Sequence, residues 1–176
     1  MIEYHDEEWG VPVHDDRKLF EFLVLDAAQA GLSWRTVLHK RKGYKRAFSH
    51  FNYRTVSRYT ARDLTRLLND SNIISNRQKI QAAVTNAKAM LKVQKEFGSF
   101  DRYIWSFVNH KSIIHRWKSA KDIPATSPES DTMSQDMKKR GFSFCGTTIC
   151  YAFMQAAGLV NDHLIRCFRY KQIPRG

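Results

Sequence analysis

Residues 76–97 place Ile80, Ala83, Val84, Ala87, Met90 and Leu91 on one face at helical spacing, and Gly98 follows as a natural stop. An apolar stripe of that length has to be covered by neighbouring elements, and the rest of the chain supplies helices for the purpose. Asp15 or Asp16 can cap a helix carrying Leu19, Phe20, Leu23 and Val24. The stretch Thr60-Ala-Arg-Asp63 reads as a capping box ahead of Leu64, Leu67 and Leu68. Ser127-Pro128 opens a helix that runs to Gly141, another spans about 147–157 and stops at Gly158, and a last short one begins near Asn161. Strand alternation is almost absent, and no repeat, low-complexity tract or linker interrupts the pattern. The expectation is an all-α protein, one domain over residues 1–176, with its N- and C-terminal segments packed together.

The charge narrows the function. Twenty-nine Lys and Arg against 17 Asp and Glu give a formal net charge of +12. The basic residues cluster in HKRKGYKR (39–46) and KKRG (138–141), beside aromatic or glycine residues as on a folded surface. A polyanionic partner follows, nucleic acid first, with a generally basic soluble protein as the plain alternative. No apolar run approaches the roughly 20 residues that cross a bilayer, and MIEYHDEEWG lacks a basic-then-apolar leader pattern. Cys145, Cys150 and Cys167 form no paired framework, so a reducing, cytoplasmic setting is expected.

Residues 138–163 form the next unit. Lys138, Lys139 and Arg140 precede Gly141, a short apolar turn runs to Gly146, and a helix starts at Thr147 with free backbone N–H groups and the positive end of its dipole. Gly146 allows a phosphate to approach that backbone. The segment reads as a helix-hairpin-helix that grips DNA backbone, or equally as a plain αα-hairpin. Beyond it, GLVNDHLIRC (158–167) spaces His163 and Cys167 at i, i+4, on one side of a helix, where they could share a metal. Asp162 there can cap the last helix or support a ligand. Trp9 and Trp34 could be core residues, and Asp26 could cap or pair. A carboxylate directly after FEFLVL is nonetheless unusual, because an unpaired buried charge is costly.

YHDEEWGVPVHDD (4–16), DAAQAGLSW (26–34), WSFVNH (105–110) and RGFSFCGTTICYAFMQAAGLVNDH (140–163) occur together and in order. In combination they resemble the 3-methyladenine DNA glycosylase I family of the helix-hairpin-helix superfamily, across essentially the whole chain. The resemblance implies a helix-hairpin-helix glycosylase fold with the motif at about 128–158. It implies a monomeric base-excision repair enzyme that flips 3-methyladenine out of alkylated duplex DNA and hydrolyses its N-glycosidic bond. Most relatives in the superfamily carry a catalytic Asp in a Val-Asp-x-His-Val segment. This family has Asn there, as in Val160-Asn161-Asp162-His163-Leu164, and a cationic base is already a good leaving group. Thr147 and Thr148 stand where bifunctional glycosylases have a Schiff-base lysine, so glycosylase activity without strand cleavage is expected.

By the same resemblance Trp34 stacks on the flipped base, Tyr4 and Trp9 line its pocket, and Asp26 is the catalytic carboxylate that recognises it. Gly31 and Leu32 fill the gap in the duplex, while Lys138, Lys139, Arg140, Gly146 and Thr147 meet the DNA backbone. The family's structural zinc is held by Cys, His, His and Cys: His5, His163 and Cys167 match three of these, the upstream cysteine is absent from the sequence, and the alternatives are water or a non-homologous side chain in its place, or no metal at all. The family's pocket carboxylate is often Glu, whereas this chain has Asp26, one methylene shorter. Two other readings compete: a DNA-binding relative that has lost catalysis because the family's N-terminal segment is missing, and a helical protein whose basic surface binds RNA or an acidic protein.

Overall fold

The computed structural model describes residues 1–173, which form ten α-helices and one small pair of strands. The helices are α1 (Ile2–Glu7), α2 (Asp16–Gln29), α3 (Trp34–Ala47), α4 (Tyr53–Val56), α5 (Ala61–Leu68), α6 (Arg77–Phe97), α7 (Phe100–Ser106), α8 (Pro128–Lys139), α9 (Thr147–Ala156) and α10 (Arg169–Gln172). The long stripe on α6 is the centre of the core: Ile80, Val84, Ala87, Met90 and Val93 are all buried, and α2, α4, α5 and α7 pack around them. Asn76 caps α6 and Gly98 ends it in the left-handed region. The expected capping box opens α5 at Thr60, and the expected Ser127 cap opens α8, where Ser130 completes a capping box.

Of the two candidate caps for α2, Asp15 accepts from the Lys18 amide at 2.8 Å. Asp16 instead accepts from the Phe100 and Asp101 amides at 3.0 and 2.8 Å, capping α7 from another helix. α2 runs through the middle of the molecule and buries nine of its residues, Asp26 among them.

The end of the chain departs from the sequence expectation. No helix starts near Asn161; Val160 and Asn161 form β2, which pairs in parallel with β1 (Ile113–Ile114). Residues 162–168 turn without forming a helix, and α10 begins only at Arg169. Asp162 therefore caps nothing. It is buried between β2 and α9, where it takes hydrogen bonds from His115, Trp117, Tyr151 and Gln155. The i, i+4 spacing of His163 and Cys167 suits a helix, but long-range bonds to Asp162 override it.

The N-terminal segment lies across the end of α9. The Gly10 amide donates to the Gln155 carbonyl and that of Val13 to the Ala157 carbonyl, both at 3.0 Å. Two glycines permit this crossing. A Cβ on Gly158 (φ +75°) would sit 2.4 Å from the Val11–Pro12 backbone, and one on Gly10 (φ +79°) would sit 2.9 Å from the His163 ring. The N- and C-terminal segments are thus in contact.

Candidate active site

α2 delivers Asp26 in its last turn, and α3 starts at Trp34 behind a Ser33 cap. The turn between them is held from two sides. Gln29 Nε2 donates to the Leu32 carbonyl at 2.7 Å, and Lys79 Nζ from α6 donates to the Ala28 and Ala30 carbonyls. These are orphan acceptors of the helix end, which a lysine there is suited to satisfy. Gly31 and Leu32 stand exposed at the tip, with Leu32 at 39% exposure.

Tyr4, Trp9, Asp26, Gln29, Trp34 and Gln155 line a cavity of about 210 Å³. Tyr4 and Trp34 meet with ring centroids 5.3 Å apart at 53°. Asp26 is 4% exposed and its Oδ2 has no hydrogen-bond partner among the described residues; nor has the buried Trp34 Nε1. Leaving a buried polar atom unpaired costs about 1–3 kcal/mol. Two such atoms in one aromatic-walled cavity, one acceptor and one donor, mark a place for a flat ligand with complementary polar edges. Burial pushes the Asp26 carboxyl well above its ordinary value, which favours the neutral acid, whereas a cationic ligand would favour the carboxylate. Burial also raises the Tyr4 hydroxyl, with Asp26 adding to the effect.

The wall that comes from α1 is anchored by charge. Arg41 on α3 donates through Nη1 to Glu8 Oε1 at 2.6 Å and through Nε to Glu21 Oε1 at 2.7 Å, and Lys18 reaches both carboxylates. The Arg41 hydrogen bond holds Glu8 down at about 2 despite partial burial. α1 has six residues, too few to persist as an isolated helix, so this network and the crossing at Gly10 place Tyr4 and Trp9.

Behind Trp9 the ligating atoms of His5, His163 and Cys167 lie within 4.8 Å of one another. They come together through the turn at 164–167, not through a shared helix face as the spacing suggested. His5 Nε2 is 3.7 Å from Cys167 Sγ. Each histidine has its other nitrogen engaged: His5 Nδ1 with Asp6 Oδ1 at 2.7 Å and His163 Nδ1 with Asn161 Oδ1 at 3.0 Å. His163 Nε2 is buried without a partner, and burial lowers the imidazole to about 4, keeping it neutral. An outer hydrogen bond that fixes the tautomer and a free inner lone pair are what a metal-binding histidine needs.

α8, the turn 140–146 and α9 form a hairpin. Buried Asn86 from α6 pins the turn by accepting from the Ser143 amide and donating to the Ser143 carbonyl, at 2.8 and 2.9 Å. Lys138 and Lys139 are exposed, and Gly146 heads α9 with no side-chain cap. Two members of the expected backbone-binding set are engaged elsewhere. Arg140 pairs with Glu96 and Asp136 and lies over the Phe97 ring at 4.8 Å. The Thr147 hydroxyl bonds to Asp131 and Ser130, leaving its backbone N–H as the group to offer a phosphate. Asp162, expected to cap the last helix or support a ligand, instead gathers donors from His115, Trp117, Tyr151 and Gln155, and Gln155, Lys79 and Arg41 are not singled out by the sequence. Only Arg41 carried a local signal, in the basic cluster 39–46; the others act through partners distant in the chain.

The chain matches the family model for methyladenine glycosylase over residues 1–170. It is 48% identical over 169 residues to DNA-3-methyladenine glycosylase 1 of Escherichia coli (strain K12), covering 96% of this chain and 90% of that one. It is 47% identical over 166 residues to DNA-3-methyladenine glycosylase of Haemophilus influenzae, covering 94% and 90%. A solved structure describing 3-methyladenine recognition by 3-methyladenine DNA glycosylase I from Staphylococcus aureus superposes with a TM-score of 0.94 at 36% identity, covering 99% of this chain and 92% of that one.

Proposed function

This chain belongs to the methyladenine glycosylase family, and on that footing we propose that it acts in base-excision repair as a monofunctional DNA-3-methyladenine glycosylase. The observation that carries the reading is the pair of unpartnered buried atoms, Asp26 Oδ2 and Trp34 Nε1, in one aromatic cavity. A base extruded from alkylated duplex DNA enters this cavity and stacks on Trp34, a contact worth about 1–3 kcal/mol. Tyr4 and Trp9 close its sides. Asp26 takes the catalytic position: it accepts from the exocyclic amine and sets a negative charge beside a positive base. A neutral purine gains no such charge pairing. The N-glycosidic bond of a cationic base needs orientation and charge complementarity more than an activated nucleophile. Asn161 fits that requirement, since its side chain serves the His163 ring and the Tyr170 carbonyl instead of the reaction.

Binding to duplex DNA would use the basic surface. Gly31 and Leu32 enter the gap left by the flipped base, and Lys138, Lys139 and the N-terminal amides of α9 at Gly146–Thr147 meet the phosphates, as in a helix-hairpin-helix. Arg140 contributes by bracing the hairpin against α6 and α7. His5, His163 and Cys167 would hold a structural zinc: the orphaned His163 Nε2 and the engaged outer nitrogens suit it. When bound, zinc supplies a tie between the two ends of the chain. The setting that goes with this reading is a monomer in the cytoplasm, and among the described residues no helix is long and apolar enough to cross a membrane.

The test is base release from methylated duplex DNA, with strand integrity read in parallel. Free 3-methyladenine with intact strands is expected. Duplex binding without release would favour a relative that has lost catalysis, and no salt-sensitive duplex binding at all would remove DNA from the account.

A further inference from the structure

The cavity has one polar lining group that no step above uses. Gln155 sits in the last turn of α9 and lines the cavity with Asp26 and Trp34. Its Nε2 donates to Asp162 Oδ2 at 2.8 Å. Asp162 is 1% exposed and receives three further donors: His115 Nδ1 at 2.6 Å and Trp117 Nε1 at 2.7 Å on Oδ1, and the Tyr151 hydroxyl at 2.7 Å on Oδ2. An indole N–H can only donate, and a carboxylate offers about four acceptor positions, so the site is saturated with donors. Burial opposes the Asp162 charge, but these hydrogen bonds hold the carboxyl below its usual value.

An amide facing such a group has one orientation. Flipping Gln155 would set its oxygen against a carboxylate oxygen and leave a buried charge short of a donor. Its Nε2 is therefore committed inward. Its Oε1 has no hydrogen bond among the described residues and is not among their fully buried unpaired atoms. The accessible polar end of Gln155 is then an acceptor, and the space it borders is the cavity. Asp26 Oδ2 and Gln155 Oε1 are thus two acceptors on the cavity wall beside the donor Trp34 Nε1, with the Tyr4 hydroxyl and the Gln29 side chain as further polar lining. An exocyclic amine carries two donors and matches two acceptors; a carbonyl at the same ring position carries none and would meet two oxygens.

We propose that Gln155, held in one orientation by Asp162, is a specificity-determining residue that selects a 6-amino purine over a 6-oxo purine. The inference rests on the base-binding reading of the cavity. It differs from the role of Asp26, which distinguishes bases by charge; Gln155 distinguishes them by the direction of a hydrogen bond.

The experiment measures affinity for free 3-methyladenine and free 3-methylguanine by tryptophan fluorescence quenching, and release of both from duplexes carrying either lesion. Gln155→Met keeps the length of the side chain and removes the acceptor. It is expected to reduce the adenine-over-guanine preference about three- to tenfold, the loss of one neutral to charge-assisted hydrogen bond. The unfolding temperature should fall by a few degrees, because Asp162 loses one of its donors, while affinity for undamaged duplex stays unchanged. Asp162→Asn lets the Gln155 amide rotate and should erode the same preference without altering the cavity lining, so it serves if the methionine variant does not fold. Trp34→Ala should weaken both bases while leaving their ratio intact. A folded Gln155→Met or Asp162→Asn protein with the unmutated preference overturns the proposal alone. Unmutated protein that binds neither base overturns the base-binding reading and this inference with it.

Discussion

Replacing Asp26 by Asn changes one oxygen for one NH2 group and removes the only carboxylate among the described residues that line the cavity. A hydrogen bond to a charged group contributes about 1.5–3 kcal/mol and one between neutral groups about 0.5–1.5. The difference, about 1–2 kcal/mol, corresponds to roughly 5- to 30-fold. Single-turnover release of 3-methyladenine from duplex DNA should slow by that factor at neutral pH, while affinity for undamaged duplex is kept because the phosphate contacts lie elsewhere.

The pH dependence sharpens the test. Burial holds the Asp26 carboxyl well above its ordinary value. In the empty protein the neutral acid's contribution to stability is complete below about pH 4 and is lost as pH rises through the folded value. A cationic base reverses the preference, so release by the unmutated enzyme should rise with pH across that window. The Asn variant has nothing to titrate at that position, so this component of the pH dependence should be missing from both its stability and its rate. If Asp26→Asn releases 3-methyladenine at the unmutated rate and with the unmutated pH profile, the carboxylate is structural and the argument from its orphaned oxygen is wrong.

Arg41→Met should lower the unfolding temperature by about 2–10 °C, because it removes a partly buried ion pair and leaves Glu8 and Glu21 without their principal donor. In the unmutated protein the Glu8 contribution, full above about pH 4.5, should fade as pH drops through its folded value of about 2, and the variant should lack this acid-side loss. His163→Ala should abolish stoichiometric zinc in elemental analysis of the purified protein; unchanged zinc content would place any metal elsewhere. Lys79→Met frees the Ala28 and Ala30 carbonyls beneath the exposed turn, so duplex processing should fall several-fold, about 1 kcal/mol, with free-base affinity kept; equal loss in both would make Lys79 a general structural residue. Duplex affinity should drop steeply between low and physiological salt, as when several phosphates are neutralised, and a flat titration would exclude the basic surface as the DNA-binding face.

Most of the helical frame was legible because its signals are local. Asn76 with Gly98, Thr60 with Asp63 and Ser127 with Pro128 each bound a helix within a few residues of sequence. The motifs that resemble the family placed Tyr4, Trp9, Asp26 and Trp34 in one pocket, and the structure brings these four around one cavity. His5, His163 and Cys167 also converge. What escaped was whatever depends on a partner far along the chain. Asp162 looked like a helix cap, yet two of its four donors come from 113–117, a segment with little helical or strand signal of its own. Arg140 looked like a free basic group: its i,i+4 partner Asp136 is local, but the sequence does not reveal that Glu96, 44 positions away, also faces it. Lys79 is one of many lysines until the end of α2 is seen resting on it.

The crossing of the two chain ends also sets the order in which the protein can become active during its synthesis. His5 and Cys167 stand 162 positions apart, and Gly10 docks on a carbonyl of Gln155. α1 and Trp9 are synthesised well before α9 and the 158–167 turn, against which their outer side packs. Closing so long a loop is a late and comparatively slow event. A nascent chain therefore presents the basic surface of α3 well before it owns a complete cavity. It can touch nucleic acid electrostatically but has no finished site in which to hold a flipped base, and excision competence arrives only once α9 and the 158–167 turn have folded back on α1.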